Sequence, residues 1–212
     1  MASSLRIAVT GATGFIGSEL IRRLATSGFG VAAFSRQVPS TATTCAPVQW
    51  FESNLESDCQ VAGHLEGINV IVHLAGRAHV SQFSRSKNSS TFREANVDAT
   101  VNLVREATYA GVRRFVFVSS VSVYGRSLSA NSTLTESSEI NPTDPYGVSK
   151  YEAEIRVKEL AEETGMDVVI LRPSLVVGRG APGNLSRLLK LIRMGIPLPV
   201  PSQGNSRSYV SR

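Results

Sequence analysis

Residues 10–17 of the 212-residue chain read Thr-Gly-Ala-Thr-Gly-Phe-Ile-Gly. They follow the apolar, strand-like segment 5–10 and open a segment whose apolar residues recur at helical spacing. In such a turn Gly11 permits the sharp change of direction, Gly14 lets the backbone approach a pyrophosphate, and Gly17 lets the helix pack closely on the sheet. The free N–H groups at the start of the helix favour a phosphate anion. This stretch therefore predicts a strand–turn–helix unit that binds a dinucleotide.

The rest of the sequence alternates short apolar segments with helical patterns, which is typical of a doubly wound parallel α/β sheet, the Rossmann architecture. Further strands are predicted at 30–34, 48–51, 69–75, 115–120 and 167–171, and further helices at 58–65, 91–110, 146–164 and 184–194. The polar stretch 125–145 is predicted to be a long loop, and loops of this length in compact domains are usually functional. We expect a dinucleotide-binding Rossmann domain over 1–178 and an incomplete C-terminal substrate domain over 179–212.

Composition and charge exclude several classes of protein. With 42% hydrophobic and 18% charged residues, the chain has enough apolar material for a core and too little charge for disorder. It has no apolar run long enough for a transmembrane helix, and its short polar start is not expected to be a signal peptide. The net charge is +5, but the basic residues are scattered, so we expect no nucleic-acid partner. Cys45 and Cys59 lack metal or redox spacing, so we expect a cytoplasmic protein with reduced thiols and no metal site.

Three residues have the chemistry of an acid–base site. Tyr146 and Lys150 lie four residues apart in a predicted helix, so their side chains share one helix face. Because an ammonium favours a neighbouring phenolate, Lys150 is expected to lower the pKa of Tyr146 and make it an effective proton carrier. Ser120 lies at the carboxyl end of the fifth predicted strand, where open α/β sheets bind ligands. Its hydroxyl is expected to hydrogen-bond a substrate oxygen while Tyr146 moves the proton.

The end of the second predicted strand bears on the choice of cofactor. NAD-specific sites usually place an acidic residue there, but residues 34–37 read Phe-Ser-Arg-Gln. Arg36 either pairs with a 2′-phosphate, which would mildly favour NADP over NAD, or remains solvated.

Further motifs, in order along the chain, carry a family resemblance. They are His73-Leu74-Ala75-Gly76, Asn96-Val97, Val-Ser-Ser-Val-Ser-Val-Tyr-Gly at 118–125, Pro-Tyr-Gly-Val-Ser-Lys at 145–150, and Leu171-Arg172-Pro173. With the glycine turn, they make the chain resemble the extended short-chain dehydrogenase/reductase family over nearly its whole length. This family contains the NAD(P)-dependent epimerases and dehydratases of nucleotide sugars, and the resemblance is to its UDP-glucose 4-epimerase-like branch.

The resemblance implies roles for particular residues. Catalysis would rest on Ser120, Tyr146 and Lys150. Substrate would contact Ser120, Asn184 and Arg207, the last two at the nucleotide diphosphate. The alternatives are that Asn184 only caps a helix and that Arg207 is a surface charge. Asn54 stands where the family usually has aspartate. The residues expected to bind the cofactor are Gly11, Thr13, Gly14, Phe15, Ile16, Gly17, Ser35, Arg36, Asn54, Leu55, Leu74, Ala75, Gly76, Asn96, Ser119, Tyr146, Lys150 and Pro173.

The resemblance also narrows the reaction. Sugar 4,6-dehydratases carry Asp-Glu directly after the catalytic Ser/Thr, whereas this chain has Val121 and Ser122, so dehydration is not expected. A 4-epimerase with hydride transfer at sugar C4 and Tyr146 as the acid–base group is the first expectation. An NADPH-dependent 4-keto-sugar reductase, a reductase of a non-sugar ketone and a non-catalytic NAD(P)-binding sensor remain alternatives.

The expected partner is a UDP-linked nucleotide sugar, and no binding to a membrane is expected. The resemblance also allows the protein to form a homodimer. Family members continue for roughly another third of their length, so we expect a fragment or a truncated chain. The proline-rich segment 197–212 is then expected to be weakly ordered.

Overall fold

A computed structural model describes residues 5–40, 47–56, 61–78, 88–125, 133–181, 184–196 and 208–212. Its centre is a six-stranded parallel sheet with the strand order β3-β2-β1-β4-β5-β6. The strands of this sheet are β1 (Arg6–Thr10), β2 (Gly30–Ser35), β3 (Val48–Glu52), β4 (Val70–His73), β5 (Arg114–Val118) and β6 (Asp167–Leu171). The helices are α1 (Phe15–Thr26), α2 (Asn88–Arg93), α3 (Ala99–Tyr109), α4 (Pro145–Thr164) and α5 (Asn184–Arg193). The doubly wound α/β architecture expected from the sequence is confirmed.

Apolar side chains cover both faces of the sheet, which explains why its strands are almost continuously hydrophobic. On one face, Phe34, Ile71, Phe115 and Phe117 pack in a cluster with residues of α3 and α4. On the other face, a smaller cluster of strand residues packs on α1. The strand order reverses between β1 and β4, and in open α/β sheets ligands bind in the crevice outside the carboxyl ends of the strands at such a point.

Two local predictions need correction, and one pair of strands was not predicted. The single helix predicted over 91–110 is divided into α2 and α3 by a π-helical turn, Glu94–Asp98. Of the helix predicted at 58–65, the described residues contain only the 3₁₀ turn Ala62–His64. Residues 175–177 and 209–211 form a separate parallel pair, β7 (Leu175–Val177) and β8 (Tyr209–Ser211), that was not predicted.

Residues 209–211, which lie in the segment 197–212 expected to be weakly ordered, are paired with β7. These residues gain backbone partners from β7, and Arg212 N–H also donates to the Val177 carbonyl at 2.9 Å. The preceding residues, 197–207, lie outside the described part of the chain. Among the described residues, none of the helices has the length and apolar character needed to cross a bilayer.

Candidate active site

The glycine turn between β1 and α1 has the shape that its sequence predicts. Gly11 adopts a φ of +66°, and the Gly14 N–H donates to the Gly11 carbonyl at 2.9 Å. A Cβ atom on Gly17 would run into that same carbonyl oxygen, so only glycine lets α1 start this close to the turn. Gly14 caps α1 without a side-chain hydrogen bond, and Thr13 and Gly14 are exposed. The first N–H groups of α1 therefore face an open turn suited to a phosphate.

The turn is braced by the segment that follows β4. A Cβ on Gly11 would lie 2.7 Å from Ala75 N, so the two backbones are in direct contact. The Leu74 N–H donates to the Thr10 carbonyl at 3.3 Å, and the Ala75 N–H donates to the Thr10 hydroxyl at 3.3 Å. Two segments that are both expected to bind the cofactor therefore meet at the carboxyl ends of β1 and β4.

A buried histidine stands beneath this contact. His73 Nδ1 lies 2.7 Å from the Thr10 hydroxyl, and Nε2 lies 2.9 Å from the Thr100 hydroxyl. Because the Thr100 hydroxyl donates to the Asn96 carbonyl, it accepts from Nε2–H, which leaves Nδ1 to accept from Thr10. Burial, and secondarily the positive charge of Lys150, lower the pKa of His73 to about 3. This imidazole is therefore neutral at physiological pH and serves as a structural link.

Asn96, in the π-helical turn, joins the β4 edge to α4. Its Oδ1 accepts the Arg77 N–H at 2.7 Å, and its Nδ2 donates to the Arg77 carbonyl at 3.0 Å. Nδ2 also donates to the Ser149 hydroxyl at 2.9 Å. The buried Asn96 side chain thus fixes the segment after Gly76 relative to the helix that carries Tyr146 and Lys150.

The carboxyl end of β5 brings Ser120 next to Tyr146. Ser120 Oγ accepts the Ser122 N–H and donates to Ser122 Oγ, both at 3.1 Å, which starts the 3₁₀ turn Val121–Tyr124. A hydrogen bond also links the side chains of Ser120 and Tyr146. The helix that presents Tyr146 begins after Asp144, whose carboxylate accepts the Gly147 N–H at 2.8 Å.

The pKa of Tyr146 differs from the sequence-based expectation. Burial raises it, the hydrogen bond with Ser120 acts in the opposite direction, and the Asp144 carboxylate raises it further. The expected lowering by Lys150 is therefore wrong for this structure, because loss of solvent outweighs the favourable neighbours. Tyr146 is a protonated phenol at neutral pH.

Lys150 is 4% exposed, and its Nζ lies 4.1 Å from the centre of the Phe117 ring. None of the hydrogen bonds or ion pairs among the described residues involves this ammonium. Burial lowers the pKa of Lys150 to about 7, while the Glu154 carboxylate acts to raise it. Ser119 Oγ, one residue before Ser120, is likewise buried without a hydrogen-bond partner in the described part of the chain. Two polar groups thus stand unpaired at the carboxyl edge of the sheet.

The backbones of the Ser120 turn and the start of α4 are in direct contact. A Cβ on Gly147 would lie 2.6 Å from the Ser122 carbonyl oxygen. The Asn141 N–H donates to the Val123 carbonyl at 3.1 Å, and a Cβ on Gly125 would run into the Asn141 carbonyl oxygen. Residues 125 and 141 are therefore held side by side.

The remaining predicted residues are distributed around this edge. Ser35 is buried and donates to the Gln37 carbonyl at 2.7 Å, whereas Arg36 is exposed. Asn54 is exposed and accepts the Glu56 N–H at 3.2 Å. Asn184 begins α5, and Arg207 lies outside the described residues. Phe15 and Ile16 open α1, Leu55 follows β3, and the Pro173 carbonyl accepts the Val121 N–H at 3.1 Å.

Sequence reasoning did not single out Glu154 or Tyr124. Glu154 is fully buried in α4 and is paired with Arg172. The available signal was its position four residues after Lys150, which predicts the same helix face.

The chain is similar to known proteins over nearly its whole length. The family model described as NAD dependent epimerase/dehydratase family matches residues 7–210. A UDP-glucose 4-epimerase of Vibrio cholerae is 34% identical over 206 residues, which cover 97% of this chain and 62% of that relative. The chain thus spans about three fifths of the length of that protein.

Two solved structures are also similar. A UDP-glucuronic acid 4-epimerase from Bacillus cereus, in complex with UDP-glucuronic acid and NAD, aligns with a TM-score of 0.83 and 26% identity, covering 98% of this chain and 69% of that one. A dTDP-glucose 4,6-dehydratase from Streptomyces venezuelae, with NAD and TYD bound, aligns with a TM-score of 0.83 and 27% identity, covering 98% and 68%.

Proposed function

Since the chain belongs to the NAD dependent epimerase/dehydratase family, we propose that it acts in the NAD(P)-dependent 4-epimerisation of a nucleotide sugar. The observation that carries the proposal is the grouping of Ser120, Tyr146 and Lys150 at the carboxyl end of β5, next to the strand β4 that borders the reversal point of the sheet. The family contains both epimerases and dehydratases, so membership alone does not distinguish these two reactions. The residues after Ser120 favour the epimerase, because neither Val121 nor Ser122 is an acid–base group suited to eliminating water.

The edge of the sheet fits a dinucleotide. The glycine turn offers unblocked helix N–H groups, and its close packing with α1 leaves no room for a Cβ at Gly17. The Lys150 ammonium and the Ser119 hydroxyl have no hydrogen-bond partner in the described segments, and they are suited to a polar ligand that reaches the carboxyl end of β5. The residues proposed to hold the cofactor are Gly11, Thr13, Gly14, Phe15, Ile16, Gly17, Ser35, Arg36, Asn54, Leu55, Leu74, Ala75, Gly76, Asn96, Ser119, Tyr146, Lys150 and Pro173.

When bound, the nicotinamide supplies a hydride acceptor and donor for C4 of the sugar. The protein supplies the proton chemistry. Tyr146 would accept the proton of the C4 hydroxyl, as a phenolate, in the oxidative half of the reaction and return it to the same oxygen in the reductive half; because burial raises its pKa, that phenolate needs a stabilising positive charge beside it. Ser120, hydrogen-bonded to Tyr146, is placed to hold the same oxygen. Lys150 is proposed to hold the ribose hydroxyls of the cofactor and to favour charge on Tyr146 when the proton leaves.

The substrate is proposed to be a UDP-linked sugar. The V. cholerae relative is named a UDP-glucose 4-epimerase, and the B. cereus structure contains UDP-glucuronic acid. In this chain, Asn184 at the start of α5 and Arg207 are proposed to contact the nucleotide diphosphate, because a guanidinium matches phosphate geometry. Residues 1–178 would then form the dinucleotide-binding domain, and 179–212 would contribute to the substrate side.

The choice between NAD and NADP is proposed to depend on Arg36. Its side chain is exposed at the end of β2, and no hydrogen bond or ion pair among the described residues engages it. A free guanidinium at this position favours a 2′-phosphate, and hence NADP, to a modest degree.

The experiment is a two-stage assay on the 212-residue chain. Calorimetry with NAD and with NADP tests the cofactor site alone. Incubation with UDP-glucose or UDP-glucuronic acid and catalytic amounts of cofactor, followed by NMR of the sugar, then tests epimerisation at C4. Appearance of the C4 epimer without net cofactor reduction supports the proposal. Product that forms only with stoichiometric NADPH would indicate a 4-keto reductase, and a 4-keto-6-deoxy product would indicate a dehydratase.

A further inference from the structure

A carboxylate is buried in the middle of α4. Glu154 is 0% exposed and lies one helical turn after Lys150, which itself lies one turn after Tyr146. Its two oxygens accept from Arg172 Nε at 3.0 and 3.2 Å and from Arg172 Nη2 at 2.6 Å. A buried carboxylate is costly unless it is paired in this way, so Glu154 and Arg172 form a tightly matched ion pair.

The same arginine reaches the turn that follows β5. Arg172 Nη1 donates to the Tyr124 hydroxyl at 2.6 Å, and its guanidinium lies 5.1 Å from the centre of the Tyr124 ring. Tyr124 ends the 3₁₀ turn that begins directly after Ser120. One side chain therefore joins the helix of Tyr146 and Lys150 to the turn of Ser120.

Besides pairing with Arg172, the Glu154 carboxylate acts electrostatically on the buried Lys150 ammonium. The neighbouring ionisable groups are Glu154 and Tyr146 on α4, His73 on β4, and the Arg172–Tyr124 contact beyond them. His73 is neutral at physiological pH and Tyr146 is a protonated phenol, so Glu154 is the anion within this set. It opposes the effect of burial, which by itself drives Lys150 towards the neutral amine.

We propose that the buried Glu154–Arg172–Tyr124 network is the positioning unit of the site: Glu154 keeps Lys150 charged, and Arg172 fixes the Ser120 turn against α4. None of these three residues is among those proposed to contact the substrate or the cofactor. The catalytic consequence rests on the proposed function, but the electrostatic link between Glu154 and Lys150 does not.

The test is a titration of Lys150 in the free protein. The sequence contains Lys87, Lys150, Lys158 and Lys190, so ¹³Cε-lysine NMR gives few signals, and Lys150→Arg identifies the one of interest. Glu154→Gln preserves the size of the side chain and removes its charge. We expect the Lys150 midpoint to move down by about one pH unit or more, the size typical of a neighbouring charge. A merely structural role predicts the reverse, since a loosened, wetter site would move the midpoint up towards that of a free lysine.

The double variant Glu154→Gln with Arg172→Gln provides a second test if Glu154→Gln alone does not fold, because it removes both charges of the buried pair. The Lys150 midpoint is again expected to fall, whereas a loosened site would raise it. Glu159→Gln is the matched control, because Glu159 lies on the same helix in an exposed pair with Arg156. An unchanged Lys150 midpoint in the folded Glu154→Gln protein, or shifts equal to those of Glu159→Gln, would overturn the proposal.

The second half of the proposal concerns Ser120. Tyr124→Phe removes the hydroxyl that accepts the hydrogen bond from Arg172 Nη1, and it leaves Glu154 unchanged. We expect kcat to fall roughly 10- to 100-fold through misplacement of Ser120, with KM and the Lys150 midpoint little changed. Unchanged kcat in an active protein would overturn this half. Absence of both cofactor binding and activity in the unmodified chain would count against the proposed epimerisation, while the titration would still decide the role of Glu154.

Discussion

The buried His73 makes the stability of this fold depend on pH in a defined window. Its pKa is about 3 in the folded protein, against an ordinary value of about 6.5, because burial disfavours the charged imidazolium. Between these values the unfolded chain binds a proton that the folded chain does not. His73 therefore causes stability to be lost as the pH falls below about 6.5, with the loss complete near pH 3.

The size of the effect follows from the shift. Each pH unit inside the window costs about 1.36 kcal/mol, so lowering the pH from 7.5 to 5.0 should remove about 2 kcal/mol of the free energy of unfolding through this one group. His73→Phe keeps a ring in the cavity between Phe115 and Phe117 but cannot be protonated. The variant will be less stable at pH 7.5, because the Thr10 and Thr100 hydroxyls lose their partner, but its stability should change less on acidification.

The assay is urea unfolding at several pH values between 5.0 and 7.5, followed by the fluorescence of Trp50, the single tryptophan of the chain. The quantity compared between wild type and His73→Phe is the change in unfolding free energy with pH. In this comparison the contributions of the titratable groups that both proteins share cancel. His64→Gln controls for loss of an imidazole elsewhere in the fold. If wild type and His73→Phe lose the same stability between pH 7.5 and 5.0, the assignment of a neutral, buried His73 is refuted.

Three further predictions concern the proposed chemistry. Tyr146→Phe should reduce turnover by about 10²–10⁴-fold while cofactor binding in calorimetry persists, since only the proton-carrying hydroxyl is removed; turnover within twofold of wild type would exclude Tyr146 as the acid–base group. Arg36→Ala should weaken NADP binding by about 1.5–3 kcal/mol relative to NAD, and an unchanged affinity ratio would remove Arg36 from the site. Gly17→Ala should cost about 1–3 kcal/mol of unfolding free energy and weaken dinucleotide binding, because the new Cβ meets the Gly11 carbonyl. Its control is Gly63→Ala, where a Cβ would have open space, and equal effects of the two variants would contradict the packing argument.

The sequence was sufficient to predict the sheet because its signals are local and agree with one another. The glycine turn, the apolar strands and the four-residue spacing of Tyr146 and Lys150 each depend on short stretches whose geometry is set by backbone sterics and helix periodicity. The π-helical turn could not be predicted in this way, because the segment 91–110 is helical in pattern throughout. Its departure is tied to Asn96, which contacts Arg77 and Ser149 from distant parts of the chain.

The pKa of Tyr146 and the partner of Glu154 could not be predicted for the same physical reason. Both depend on burial and on residues far away in sequence: Tyr146 is linked to Ser120, and Glu154 is paired with Arg172. Spacing predicts which side chains share a helix face, but it does not give the solvent accessibility of that face. β7 and β8 likewise pair across more than thirty intervening residues, and three-residue strands carry too short a pattern to be recognised.

The side-by-side placement of residues 125 and 141 bears on how this fold can diversify. The close approach of Gly125 to Asn141, and of Gly147 to Ser122, means that the chain leaves the Ser120 turn and returns beside its own point of departure. The closure of this excursion is fixed by contacts at its base, and the entropic cost of lengthening such a loop grows only slowly, by about 0.6 kcal/mol for each doubling. Changes in the length of the chain between Gly125 and Asn141 are therefore expected to leave the separation of Ser120 and Tyr146 unchanged, so new specificities could be added there without moving these two side chains.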